Sequence, residues 1–311
     1  MNAKVKGYIL GAIAAATYGT NPLFALPLYA GGMDSDSVLF FRYLIAMPVI
    51  MLMLRLRGHS FSVPRKSVLP LVLMGVLMAL SSLTLFESYN YMDAGIASTL
   101  LFVYPLMVAV IMGCVFHEKL KAMTWVCILL ALAGIGLLFK SSDGVTLSVA
   151  GTAIVMLSSL CYAVYIVGIN RPLFKDIPTL KVIFWVLVAG TILFGCKLAY
   201  AGKGPDLPSQ WYMWGCVVAL AVFPTVISFL CTTAAIQYIG PTPTAILGAL
   251  EPVTAVVIGI FVFGEVVTPR DWAGIALIVL AVSVVVGGAG ITSYFVRFRK
   301  LFPRIPLHGS H

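Results

Sequence analysis

The sequence predicts an all-α integral membrane protein with ten transmembrane helices, arranged as two inverted five-helix repeats. Three observations lead there: a charge-poor, apolar chain broken at regular intervals, a one-sided distribution of Lys and Arg, and an internal repeat at an offset of 147 residues. Of 311 residues, 61% are hydrophobic and only 10% charged, and mean hydropathy is +1.04. A water-soluble fold of this size could not cover such a core with polar surface.

Breaks at charged, Gly, Pro or Asp clusters delimit candidate helices at about 7–30, 37–54, 67–87, 93–116, 120–139, 148–170, 178–199, 211–236, 243–263 and 271–291. Each approaches the ~20 apolar residues that one crossing needs. The first follows Lys4 and Lys6, outruns a signal-peptide core and lacks a small-x-small cleavage site before Gly31, so it reads as a retained span. Gly7, Gly11, Ala15 and Gly19 recur every four residues on one face of it, a pattern that admits close backbone packing. The longest connection, Arg55 to Lys66, is too short for a soluble domain. Glu118 and Glu265 stand at span junctions, where each is expected to meet the positive end of the helix that follows. Thr268, Pro269 and Asp271 supply the cap, first residue and box partner of the tenth span. Trp125 and Trp272 read as interface anchors, and a basic tail, 292–311, closes the chain.

With the N-terminus placed in the cytoplasm, fifteen Lys and Arg residues fall on that side and four on the other, while Arg42 lies inside a span. Such asymmetry fits an even number of spans with both termini cytoplasmic, in the cell inner (plasma) membrane. The formal charge of +9 sits in short clusters between apolar runs, without a basic stripe interleaved with stacking aromatics, which argues against a nucleic-acid partner. All six cysteines fall in apolar runs without a CxxC pair and the four histidines are scattered, so neither disulfide framework, metal site nor cofactor is indicated. The oligomeric state is left open.

An offset of 147 aligns Tyr91 with Tyr238, Pro105 with Pro252, Val110 with Val257, Phe116 with Phe263, Glu118 with Glu265 and Trp125 with Trp272. An offset of 144 aligns Gly7 with Gly151 and Tyr18 with Tyr162. The halves, 7–139 and 148–288, hold five spans each, and an odd number forces the second to cross in the opposite sense. A site at the repeat interface near the midplane, opened to each side by rocking of the halves, follows from that architecture.

Phe41-Arg42-Tyr43-Leu44-Ile45-Ala46, Tyr104-Pro105 with Phe116-His117-Glu118, and Glu251-Pro252 with Phe263-Gly264-Glu265 carry a family resemblance. In their order and spacing the chain, from Gly7 to about Gly288, resembles the EamA-type branch of the drug/metabolite transporter superfamily. The resemblance implies ten helices in two inverted repeats, cytoplasmic termini, and transport of small metabolites, commonly export of amino acids or related compounds. His117 departs from the family's usual Gly before Glu, where a tight turn is expected. Small multidrug relatives use a Glu in their first helix; between Gly7 and Ala30 this chain has no acid.

Candidate substrate-binding residues are Glu251, Tyr104, Tyr18, Asn21, Arg42, Tyr162 and Tyr165. Glu251 precedes Pro252 within the ninth span, and the missing N–H leaves the Gly248 carbonyl without its helical partner. A bend and a carboxylate facing a cavity are expected there, to bind a substrate amine or a coupling proton; the alternative is a protonated Glu bonded to a neighbouring helix. Tyr104 is its repeat equivalent. Arg42 either pairs with Glu87 in the outer half of the membrane or binds a substrate carboxylate. Tyr18, Asn21, Tyr162 and Tyr165 occupy equivalent regions of the first and sixth spans, too deep for an aromatic belt, and line either cavity or core.

The sequence lacks HExxH, GxSxG and GxxxxGK[ST] motifs, which speaks against an intramembrane enzyme and against direct use of ATP; Ser158 and Ser159 read as small polar residues at helix contacts. A channel would show a filter-like loop and a receptor an extramembrane sensing domain. The expectation is therefore a metabolite exporter or exchanger, with proton coupling through Glu251 or facilitated diffusion as its energetics.

Overall fold

The computed structural model describes residues 3–117, 122–138, 148–169, 171–174, 177–239, 244 and 247–284; the expectations for Glu118 and for the tail 292–311 lie outside them. Among the described residues every regular element is helical. Seven stretches are long and apolar enough to cross a membrane: Ala3–Ala30, Ser35–Leu56, Arg65–Ser88, Ala94–Phe116, Val149–Ile169, Thr179–Tyr200 and Trp211–Ile239. Shorter apolar helices cover Ala122–Leu138 and Leu250–Phe263, and a further helix covers 269–284.

Three of these stretches are interrupted, so the helices are α1 (Ala3–Tyr18), α2 (Asn21–Ala30), α3 (Ser35–Leu56), α4 (Arg65–Ser88), α5 (Ala94–Leu101), α6 (Tyr104–Phe116), α7 (Ala122–Leu138), α8 (Val149–Ile169), α9 (Thr179–Tyr200), α10 (Trp211–Ala221), α11 (Ser228–Ile239) and α12 (Leu250–Phe263), followed by α13 (269–284). A π-helical turn, Val222–Ile227, joins α10 to α11. The outer surface carries bare apolar side chains, with Leu56 77% and Phe261 83% exposed, a surface suited to lipid and not to water. The chain is a multi-pass membrane protein.

Inside, α1 packs on α11, α4 on α8 and α9, α3 on α9, and α5 on α12. The small-residue face of α1 makes its contact possible: a Cβ on Gly7 would meet Ile239 at 2.5 Å, and one on Gly11 would meet Leu247 at the same distance. α7 and α13 touch backbone to backbone at Gly134 and Gly274.

Local signals account for the helix ends. Asp34 accepts from the Ser37 N–H at 2.7 Å to cap α3, and Asp271 accepts from the Thr268 N–H and hydroxyl at 3.0 and 2.7 Å ahead of α13. Both α6 and α12 end in a left-handed residue, His117 at φ 54° and Gly264 at φ 69°, so His117 takes the conformation the departed Gly would have taken. Glu265 corrects an expectation: its carboxylate does not serve the helix that follows but accepts from the Ala94 N–H at 3.0 Å, capping α5. The reason is that Asp271 and Thr268 already satisfy the start of α13.

Candidate functional site

Four prolines break helices around the centre of the bundle, and each frees the carbonyl four residues earlier. A specific donor answers each one. Pro22 frees Tyr18, whose carbonyl accepts from the Asn21 side-chain amide at 2.9 Å. Pro105 frees Leu101, which accepts from the Ser159 hydroxyl at 3.1 Å. Pro224 frees Leu220, which accepts from the Thr225 hydroxyl at 3.0 Å. Pro252 frees Gly248, which accepts from the Glu251 N–H at 3.0 Å in a tightened turn. Buried backbone polarity in lipid must be met internally, so these donors are what allow the helices to open without a bare carbonyl.

The first and last of these breaks meet. A Cβ on Gly19 would lie 2.5 Å from the Glu251 carbonyl oxygen and 2.7 Å from Thr254 Cβ, so only Gly lets the α1–α2 break rest on the start of α12. Around this contact the chain gathers Tyr18, Tyr104, Tyr162 and Glu251, whose carboxylate interacts electrostatically with all three tyrosines and with Tyr89. The Tyr104 and Tyr162 rings meet edge to face with centroids 4.6 Å apart, and Tyr162 stacks on Tyr165 at 6.0 Å. Tyr18, Tyr104, Tyr162 and Glu251 are only half-buried although they lie within the bundle, so they border an internal space. Among the described residues no hydrogen bond or ion pair reaches the Glu251 carboxylate.

Arg42 lies near the same cluster. It is 4% exposed, its Nε donates to the Thr225 hydroxyl at 2.9 Å, and its guanidinium lies 5.3 Å from the centroid of the Phe86 ring. The expected pairing with Glu87 is not formed: Glu87 instead accepts from the Ser35 hydroxyl at 3.0 Å. Thr225 has drawn the guanidinium toward the π-helical turn. The terminal amino groups of Arg42 make no hydrogen bond among the described residues. Arg42 acts electrostatically on Tyr18 and Tyr89, the same two tyrosines that sense Glu251. The cation and the carboxyl group are therefore both within electrostatic range of a shared pair of rings. Asn21 is 3% exposed; its amide nitrogen is committed to Tyr18 while its Oδ1 has no partner.

Two residues at this centre escaped the sequence reading. Tyr89 is buried, its hydroxyl near the Ser98 side chain but without a well-formed hydrogen bond, and nothing in its S-Y-N-Y context marks it as internal. Thr225 follows Pro224, and a proline in the middle of an apolar run was the available signal.

At one end of the bundle Asp93 and Glu265 face each other beside the α5 N-terminus. Burial holds both carboxyls above their ordinary range; nearby Asp271 pushes Asp93 further up, and Asp93 does the same to Glu265 against the lowering effect of the Ala94 and Gly95 N–H groups. Among the described residues no cluster of three His, Cys, Asp or Glu side chains is placed to hold a metal ion.

The pattern that defines the EamA-like transporter family matches the chain twice, over residues 5–140 and 149–287. The chain belongs to this family. It is 26% identical over 272 residues to the uncharacterized inner membrane transporter YedA of Escherichia coli (strain K12), covering 86% of this chain and 83% of YedA. With the uncharacterized inner membrane transporter YicL of Salmonella typhimurium it shares 25% identity over 91% of this chain and 95% of that protein. The uncharacterized transporter YwfM of Bacillus subtilis is 25% identical over 58% of this chain, an alignment that spans only 60% of YwfM. A protein of known crystal structure, 19% identical, superposes with a TM-score of 0.65 over 90% of this chain and 96% of its own, a likeness of fold.

Proposed function

We propose that this transporter is an exporter or exchanger of small zwitterionic metabolites, amino acids or related compounds, working by alternating access. The observation that carries the reading is the pair of ionisable groups, Glu251 and the terminal amino groups of Arg42, that make no hydrogen bond or ion pair among the described residues and both act on Tyr18 and Tyr89. A carboxylate suits a substrate ammonium and a guanidinium suits a substrate carboxylate. Tyrosine faces beside them suit an apolar side chain, and the Asn21 Oδ1 and Tyr89 hydroxyl offer further polar contacts. The binding residues proposed are Glu251, Arg42, Tyr18, Asn21, Tyr104 and Tyr162, with Tyr165 and Tyr89 beside them.

Ten spans in two inverted halves, each matched by the same family pattern, form the proposed frame. A pair of hydrogen bonds supports the pseudo-symmetry. Ser81 donates to the Ser158 carbonyl at 3.0 Å, and Ser228 donates to the Ala14 carbonyl at 2.8 Å; these pairs are related by the offsets of 147 and 144. Both termini in the cytoplasm and residence in a bacterial-type inner membrane complete the reading, in line with the charge asymmetry and with the naming of YedA.

Counterflow into proteoliposomes tests this. Saturable exchange of a labelled amino acid that its methyl ester and its decarboxylated amine fail to compete for is the expected outcome, with Arg42→Met restoring competition by the amine. Rapid ion currents, or equal competition by all three in the native protein, would overturn it. Proton coupling is tested separately: Glu251→Gln transport that still follows a proton gradient removes Glu251 as the coupling group.

A further inference from the structure

Where α4 and α9 begin, positive charge accumulates with no acid in either first turn and none among the described residues lining the pocket they share. The two helices lie side by side with their N-termini at one shared pocket of about 330 Å³. Their N-caps are Pro64 and Pro178, which offer no side-chain acceptor, and neither first turn contains an acidic residue. Each helix start carries roughly half a positive charge on its free N–H groups, and Lys66 and Lys181, which line the pocket, add two full charges. The Lys181 ammonium donates to the Ser62 carbonyl at 2.9 Å, which fixes it at the rim with N–H bonds to spare.

A second observation lies at the same pocket. Ser67 lines the pocket, is fully buried, and its hydroxyl has no hydrogen-bond partner. Burial penalises such a group unless a partner arrives. Lys175 and Asp176, which offset each other in charge, lie outside the described residues.

We infer that this pocket binds a phosphate group. Two lysines, one unpartnered hydroxyl and two helix N-termini border it. A tetrahedral oxyanion can accept from all of them, whereas a planar carboxylate accepts mainly in its plane. Because α4 and α9 are membrane-crossing helices, the pocket stands at headgroup depth, so a phospholipid headgroup and a soluble phosphate offer it the same chemistry.

The test uses the full-length protein in detergent and in lipid nanodiscs. Thermal unfolding is followed against inorganic phosphate, with sodium chloride at matched ionic strength as control. Native mass spectrometry then reads retention of phosphatidylglycerol against phosphatidylcholine from an equimolar mixture. A saturable phosphate response without selective lipid retention identifies a soluble ligand; selective retention of phosphatidylglycerol identifies the headgroup. In either case Lys66→Gln/Lys181→Gln is expected to weaken binding by about tenfold or more. Lys4→Gln/Lys6→Gln, which removes the same charge elsewhere, is expected to leave it unchanged. Ser67→Ala is expected to weaken binding severalfold, and it carries the test if the double variant fails to fold. Absence of both wild-type responses, equal behaviour of the two lysine pairs, or full-strength binding by Ser67→Ala would each overturn the site.

Discussion

Replacing Thr225 with Val tests whether the π-helical turn is held by one hydroxyl. Valine preserves the shape of the side chain and removes two interactions together: the donor to the Leu220 carbonyl at 3.0 Å and the acceptor of the Arg42 Nε–H at 2.9 Å. Leu220 is fully buried and Arg42 is 4% exposed, so water replaces neither partner freely. A buried neutral acceptor left bare costs about 1–3 kcal/mol and a charged donor more. Hydrogen bonds measured within membranes average only about 0.6 kcal/mol, because the unfolded chain in lipid finds other partners. Pro224 denies the Leu220 carbonyl its α-helical donor, so this acceptor depends more than most on the Thr225 hydroxyl. The expected loss for Thr225→Val is about 2 kcal/mol, and for Thr225→Ser, which keeps the hydroxyl, under about 1 kcal/mol. Reversible unfolding in mixed micelles titrated with dodecyl sulfate, read by tryptophan fluorescence, measures both. A Val variant within about 0.5 kcal/mol of the native protein, or a Ser variant as weak as the Val one, would refute the account.

Gly19→Ala places a methyl 2.5 Å from the Glu251 carbonyl and 2.7 Å from Thr254 Cβ, neither of them the far end of a flexible chain. It is expected to cost about 1–3 kcal/mol in the same unfolding assay and to depress exchange in proteoliposomes. His117→Gly relieves a left-handed residue at φ 54° and is expected to stabilise by roughly 1 kcal/mol; a loss would show that the imidazole holds something in place. Asp93 and Glu265 both sit above their ordinary carboxylate range in the fold. The folded protein therefore binds protons more readily than the unfolded chain, and stability falls as pH rises from the ordinary carboxylate range through the raised values. Asp93→Asn is expected to flatten that slope in unfolding titrations across this window, and an unchanged slope would remove the pair as its source.

Much of the frame is legible because lipid allows few solutions: apolar runs of about 20 residues, ended by Gly, Pro or charge, have nowhere to go but across. All four helix breaks are written in prolines, of which the sequence reading takes up Pro22, Pro105 and Pro252 and passes over Pro224, and the residues before Pro105 and Pro252, Tyr104 and Glu251, are carried to the centre. What the pattern cannot supply is the partner. Glu265 stands three residues before the Thr268–Asp271 box and 171 residues from Ala94, and nothing local tells which helix start it caps. Pairing Arg42 with Glu87 overlooked two neutral hydroxyls, Thr225 and Ser35, that come from distant or adjacent helices and take the two charges separately. Tyr89 lies past the end of α4, where an aromatic ring reads as an interface anchor, and only tertiary packing turns it inward.

The two matched breaks are closed in different ways, and the difference traces to a single atom. Ser159 of α8 donates to the carbonyl that Pro105 frees, bonding α8 to the end of α5. The offset of 144 maps Ser159 onto Ala15, which has no hydroxyl. Ala15 lies on α1 between Gly11, which faces Leu247, and Gly19, which faces Glu251, and the stretch from Leu247 to Glu251 includes Gly248. The Gly248 carbonyl takes the Glu251 N–H instead, and among the described residues no hydrogen bond joins α1 to α12 at this point. A seam held by packing can slide, while one pinned by a hydrogen bond to a proline-freed carbonyl resists it. Ala15→Ser installs the missing hydroxyl with little added volume. If the α1–α12 seam moves during transport, this variant gains about 0.5–1 kcal/mol in unfolding and exchanges more slowly, with the affinity for its solute intact. A stabilised Ala15→Ser protein that exchanges at the native rate would place the moving seam elsewhere.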